Sequence, residues 1–311
     1  MAARRTASKD NPTNASLAAT ESGDLMHIDL RNKRVIVTGA SRGIGRAIAR
    51  AFAAEGARVA ICARTAADLE AAGADLQSRG AGDVIARAVD VTDTAGVRQF
   101  VEDIAARWGG VDVLINNAGQ GRGGNLETLT PEQILEHANV LQMGHFRFVQ
   151  AVVPHMRQQR WGRIVEINAL AGVVPTPDGI PSVVNRAACI AMSKSLGMSL
   201  AKDNILVNTL NMGWIDTGQW DRHYREMPAG CSREEFDQMV LKVVPLGRFG
   251  KPEDVAGMAL FLASDYASFI SAASIDIAGG MGGQIAYYPT LKRDFYEAVK
   301  ARGAVPQPEA G

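Results

Sequence analysis

The chain has 311 residues, 47% hydrophobic and 21% charged, enough apolar material for a sizeable buried core. Lys plus Arg and Asp plus Glu number 33 each, so the formal net charge is zero, which argues against a nucleic-acid partner. No run approaches eighteen apolar residues, which argues against a membrane span. The cysteines Cys62, Cys189 and Cys231 form neither a disulfide framework nor a metal-ligand spacing, and the expected setting is the cytoplasm with no metal. Cys62 and Cys189 stand in apolar runs and read as inert buried thiols.

Residues 1–26 are rich in Ala, Ser and Thr and lack a secretory apolar stretch, so a disordered tail is expected there. A regular alternation follows. "RVIVTG" (34–39) reads as a strand, "RAIARAFAAEGA" (46–57) as a helix with a glycine stop, and "RVAICAR" (58–64) as a second strand. A helix over 66–79, a strand over 83–93, a helix over 97–109 and a strand over 111–119 continue it. Then come a helix over 131–158, strand 163–169, helix 182–202, strand 205–213, helix 252–263 and a last strand over 273–280. Strands alternating with helices of a dozen residues predict one α/β domain over 27–283, a Rossmann-like doubly wound parallel sheet with helices on both faces. Residues 214–250 are too irregular for a regular element and read as a lid insertion. Residues 284–311, with Tyr287, Tyr288 and Phe295, read as a C-terminal extension that caps a site or a neighbouring subunit.

"TGASRGIG" (38–45) lies between the first strand and the first helix. Glycines at 39, 43 and 45 let the backbone approach a pyrophosphate, and the free N–H groups of the next helix hold its charge. The second strand ends "CAR", with no carboxylate to meet an adenosine ribose. Arg64, with Arg42 of the glycine loop, favours the 2′-phosphate of NADP(H) over NAD(H).

Together with "DVTD" (90–93), "NNAG" (116–119) and "PLGRFGKPEDVAGMALFLAS" (245–264), this loop resembles the short-chain dehydrogenase/reductase family over residues 28–283. The resemblance implies hydride transfer between a nicotinamide dinucleotide and an alcohol or carbonyl. It implies glycine-loop contacts from Gly39, Ser41, Arg42, Gly43, Ile44 and Gly45. Arg64, Asp90 and Val91 would lie on the adenosine side, Asn117, Ala118 and Gly119 beside the cofactor, and Gly213, Ile215 and Thr217 near the nicotinamide. Met212 stands where the family's usual proline precedes that glycine, and Ala278 where the family carries Asp in its terminal Asp-Gly-Gly.

The family's chemistry rests on an asparagine, a serine, a tyrosine and a lysine, the tyrosine moving the proton and the lysine lowering its pKa and holding the ribose. Locally anchored alignment puts Leu141, Ala169, Ser182 and Arg186 at those positions. Asn139 and Asn168 stand nearby but point elsewhere by helix and strand periodicity. Leu141 and Ala169 are apolar, Ser182 is a weaker and shorter acid than a phenol, and Arg186 keeps the charge but not the proton exchange. The catalytic candidates are therefore Ser182 and Arg186, with Arg186 also on the ribose.

Three readings stay open. The chain is an oxidoreductase with non-standard proton transfer on a small apolar carbonyl, enone or alcohol, for which His145, Asp178 and Tyr224 are candidate groups. Or it is a catalytically silent dinucleotide-binding sensor, scaffold or partner subunit. Or it is a non-redox enzyme; halohydrin dehalogenases share the arginine at 186 but lack the glycine loop. A substrate pocket would be lined by Leu141, Ala169, Leu170, Val174, Met212 and Trp214. A homo-oligomer, dimer or tetramer, paired through helices 131–158 and 182–202, is expected.

Overall fold

The computed structural model describes residues 27–283 and 288–303; the expected disordered tail and the Pro-rich end lie outside them. The strands are β1 (Arg34–Thr38), β2 (Arg58–Ala63), β3 (Asp83–Ala88), β4 (Val113–Asn116), β5 (Gly162–Ala169), β6 (Ile205–Met212) and β7 (Ser274–Ile277). They form one sheet in the order β3-β2-β1-β4-β5-β6-β7, every neighbouring pair parallel. Strands buried on both faces need apolar side chains at odd and even positions alike, and β1 and β2 supply them. Val35, Val37, Val59 and Ile61 pack on one face under α1 (Gly43–Ala54) and α9 (Pro252–Ala263). Ile36, Ala60 and Cys62 pack on the other with Phe100 of α3 (Thr94–Trp108) and Phe148 of α5 (Gly144–Gln159). Helix α2 (Ala66–Ser78) covers the β3 edge, and α6 (Ile180–Leu200) lies against β5 and β6.

Three expectations need correction. The strand read over 83–93 stops at Ala88, because Asp90 Oδ1 accepts from the Thr92 N–H and hydroxyl, both at 2.8 Å, and turns the chain. The helix read over 131–158 is broken: α4 (Pro131–Ala138) passes through a π-turn at Asn139–Met143 before α5 begins. The segment read as irregular holds two helices, α7 (Gln219–Arg225) and α8 (Arg233–Leu241). The start of α8 is a capping box, Ser232 accepting from the Glu235 N–H and Glu235 from the Ser232 N–H. Trp220, Phe236 and Val240 of this pair pack with Phe295 and Val299 of α10 (Tyr288–Gly303) of the same chain.

At the opposite end of the sheet from the glycine loop, Asp112 accepts from the Arg34 N–H at 2.8 Å and from Arg34 Nη2 at 2.6 Å. Burial pushes the Asp112 carboxyl up, but its hydrogen bonds and charge pairing with Arg34 outweigh that and leave it below the usual carboxylate range. A depressed folded-state pKa stabilises above the unfolded value, near 3.9, and that stabilisation is lost as pH falls through the folded one. Asp112→Ala is expected to cost about 3 kcal/mol in urea unfolding at neutral pH, since it leaves a part-buried guanidinium unpaired. The gap between the two proteins should narrow below about pH 4.

Candidate active site

The chain steps outward from β1 to β3 and returns to β4 on the other side, so the crevice between the carboxyl ends of β1 and β4 is the topological switch point. There the glycine loop and the 116–119 loop meet at backbone contact. Gly39 has φ +65°, and a Cβ on it would stand 2.9 Å from Ala118 Cα. A Cβ on Gly45 would stand 2.4 Å from Asn117 Nδ2 and 2.5 Å from the Gly39 carbonyl. Asn117 Nδ2 donates to the carbonyls of Thr38 and Gly39 at 2.9 and 3.0 Å, and the Asn117 and Ala118 N–H groups both donate to Thr38 Oγ1 at 2.9 Å. Gly43 lies against Thr217. The first turn of α1 has no side-chain cap and no acidic residue, which leaves its N–H groups for an anion.

Arg42 and Arg64 flank this cradle, both exposed and, among the described residues, in no ion pair. The Asp90 carboxyl is held below its ordinary range by the Thr92 N–H and hydroxyl, with Arg64 and Arg147 adding charge attraction. Val91 is buried against Gly144, Gly213 packs on Ala278, and Ile215 is buried where Gly250 passes. Ser41 and Ile44 are half-buried within the loop itself.

The proposed proton-transfer positions converge on the same end of the sheet. Leu141 sits in the π-turn, fully buried, its Cδ2 only 2.3 Å from where a Cβ on Gly119 would be. Ala169 ends β5, half-buried. Ser182 Oγ accepts from the Arg122 N–H at 2.7 Å and donates to the Arg122 carbonyl at 3.0 Å, so its hydroxyl ties down the loop that follows Gly119. Arg186 is 6% exposed; its Nη1 donates to the Ile167 carbonyl at 3.1 Å and lies 3.5 Å from Asn168 Oδ1. Burial pushes its pKa down. Cys62 and Cys189 are buried thiols, each pushed up to about 12 by desolvation, and neither is a nucleophile at neutral pH.

Residues 39–282 match the family model described as enoyl-(acyl carrier protein) reductase. The 3-oxoacyl-(acyl-carrier-protein) reductase of Thermotoga maritima is 36% identical over 256 residues, 81% of this chain and 98% of that protein. The crystal structure of L-sorbose reductase from Gluconobacter frateurii, complexed with NADPH and L-sorbose, superposes with a TM-score of 0.80 at 33% identity, covering 83% of this chain and all of that one. An NAD+-bound xylitol dehydrogenase superposes with a TM-score of 0.76 at 29% identity, covering 81% of this chain and 99% of that one. The chain belongs to the short-chain dehydrogenase/reductase family. It is a family of oxidoreductases, and the parallel seven-stranded sheet is the fold expected of a member.

Among the three substitute groups, none stands open in the cleft of this dehydrogenase/reductase. His145 is 2% exposed, with Nδ1 2.6 Å from Glu166 Oε2 and Nε2 3.1 Å from the Ala118 carbonyl. Asp178 is an exposed turn residue whose carbonyl accepts from the Gly124 N–H at 3.0 Å. Tyr224 of α7 packs on Phe236 of α8 and donates to the Cys231 carbonyl at 3.0 Å. Of the expected pocket residues, Leu170, Val174 and Trp214 do cluster, with Val244 and Met281. A cavity of about 430 Å³ lies under α2, and one of about 350 Å³ along β7 is lined by Trp214 and Val244 of this cluster together with Ile215 and Gly250.

Sequence reasoning missed two polar groups behind the site. Glu166, fully buried in β5, pairs with His145 and accepts from Asn116 Nδ2 at 2.9 Å. Asn168, Asn211 and Asp276 stand in register across β5, β6 and β7; Asn168 Nδ2 donates to Asn211 Oδ1 at 3.2 Å, and Asn211 Nδ2 to Asp276 Oδ1 at 2.8 Å. A polar residue inside an otherwise apolar strand was the available signal. Gly45→Ala puts a Cβ onto backbone, and it is expected to weaken dinucleotide binding at least about tenfold in a fluorescence titration. Circular dichroism should still report the native helix and strand content.

Proposed function

We propose that this protein binds NADP(H) and is an oxidoreductase of a small apolar carbonyl, enone or alcohol whose proton transfer does not use a tyrosine–lysine pair. The observation that carries the reading is Ser182, at the family's tyrosine position, with its hydroxyl hydrogen-bonded in both directions to the Arg122 backbone. Gly39 and Gly45 let the turn close on Ala118 and Asn117 while the first turn of α1 keeps no side-chain cap, which fits a pyrophosphate. When bound there, the nicotinamide dinucleotide supplies or takes the hydride. Arg42 and Arg64 would hold the 2′-phosphate through charge-assisted hydrogen bonds, Thr217 would approach the carboxamide, and Arg186 would meet the ribose. Leu141 and Ala169 carry no exchangeable proton, and the one proton that completes the reduction comes from solvent, to the alkoxide oxygen of a carbonyl or to the enolate of an enone. Exposed Leu135, Met143, Val184 and Met198, on or beside α4 and α6, support a homo-oligomer paired through those helices.

A second reading, a silent dinucleotide-binding protein, is favoured by the complete burial of Leu141 and by the enclosure of His145. Cofactor consumption against ketones, enones and alcohols separates the two. Turnover of at least one apolar substrate is expected; tight NADPH binding with no turnover on any would decide for the silent form. Failure to bind NADPH or NADH sinks both.

The two arginines give a separate expectation. Arg64→Ala should weaken NADPH about tenfold or more, the size of a charge-assisted hydrogen bond, and leave NADH nearly unchanged. Equal losses for the two cofactors would remove Arg64 from the 2′-phosphate site.

A further inference from the structure

Two buried arginines, Arg163 and Arg186, have no carboxylate partner among the described residues; Arg163 gives Nη1 to the Gly162 and Asn204 carbonyls and lies over the Trp161 ring at the start of β5, whereas Arg186 stands beside the carboxyl end of that strand. Arg107 grips Asp83 through Nε at 2.9 Å and Nη2 at 2.8 Å, and Arg31 grips Asp29 through the same edge. Arg34 places Nε and Nη2 on Asp112. In Arg186 only Nη1 is engaged, by the Ile167 carbonyl and, at longer range, by Asn168 Oδ1. Among the described residues its Nε and Nη2 have no hydrogen-bond partner, and neither is among the unpartnered atoms wholly shielded from solvent. No carboxylate pairs with Arg186 among the described residues. The nearest buried acid, Glu166, is taken by His145 and Asn116.

The direction of the open edge is fixed from behind. Asn168 Nδ2 donates to the Arg186 carbonyl at 3.1 Å and to Asn211, so the backbone of α6 and the floor under the guanidinium are held together. Gly172 presses on the same turn, a Cβ there falling 2.8 Å from the Arg186 carbonyl carbon. An enclosed guanidinium with no counter-charge is costly, and a fork of two parallel N–H donors matches one ligand geometry best, the planar carboxylate.

We infer that the Nε–Nη2 edge of Arg186 is a carboxylate-binding subsite and that the substrate of this protein carries a carboxylate on a short apolar body. This deepens the oxidoreductase reading and rests on it. A guanidinium has five N–H donors, so one edge holds the carboxylate while a remaining donor meets a ribose hydroxyl. The apolar body would lie beside Ala169, half-buried at the end of β5.

The test uses the full chain saturated with NADPH and two isosteric probes, butyrate and butyramide, in calorimetric titrations. Butyrate is expected to bind at least ten times more tightly than butyramide to the unaltered protein. Arg186→Gln should abolish that preference, and Arg186→Lys should keep a weakened one, because charge remains while the fork is lost. The comparison of probes on the unaltered protein needs no variant, so it decides even if Arg186→Gln fails to fold. Equal affinity for the two probes, or a preference that survives Arg186→Gln, overturns the inference. NADPH titrated first in the same cell reports on the cofactor reading by itself, so loss of probe selectivity with NADPH bound counts against the carboxylate subsite alone.

Discussion

The site depends on one close approach, that of the glycine loop to the loop after β4. Gly39 and Gly45 lie so near Ala118 and Asn117 that any Cβ there would overlap backbone or the Asn117 amide. The contact holds because the Asn117 amide and the Thr38 hydroxyl replace the ladder bonds that end where β1 and β4 stop. Everything on the cofactor side inherits its position from this brace. Thr217 rests on Gly43, and α1 starts uncapped at the correct height above the sheet. The energetic logic is that of preorganisation: donors fixed before the ligand arrives need not be ordered by it.

The other half of the site is organised by buried charge. Taking an ionised group out of water costs several kcal/mol unless a partner offsets it. Glu166 is offset by His145 and Asn116, and Asp112 by Arg34 and Gln159. Arg186 rests on a carbonyl and an amide, neutral dipoles that offset only part of its desolvation. The polar ladder from Asn168 through Asn211 to Asp276 therefore serves to hold geometry more than to neutralise, since the carboxylate at its end sits two strands away. Among the described residues its Nε–Nη2 edge has no partner, so the rest of that cost is not offset.

The parallel order and the glycine loop were legible in the residues because they rest on local signals, apolar runs of strand length and glycines where the backbone must approach itself. The reading of Arg42 and Arg64 rests on a local signal as well, a missing acid at the end of β2. The break at Asn139–Met143 was not, since the apolar spacing of α4 and α5 runs through it and nothing in the composition marks a π-turn. Helix α8 carried its own mark, Ser232 and Glu235 three apart, which the scattered aromatic residues around it obscured. The partner of His145 lay beyond reach of any local rule: Glu166 is 21 positions away in the chain, and only the pairing of β4 with β5 beside α5 brings the two together.

Serine at 182 and the course of residues 120–124 are mutually dependent. The Arg122 backbone lies within 3.0 Å of Ser182 Oγ, and a Cβ on Gly121 would come within 3.5 Å of it. A side chain with a ring at 182 would have to displace that loop, and the loop would lose two hydrogen bonds in moving. Leu141 acts on the same loop one step earlier, filling the space against Gly119 where a Cβ would collide. Leu141 and Ser182 thus stabilise one loop conformation between them. The loop is the element that couples the two positions, which is why substituting one and keeping the other would leave either a cavity or a clash.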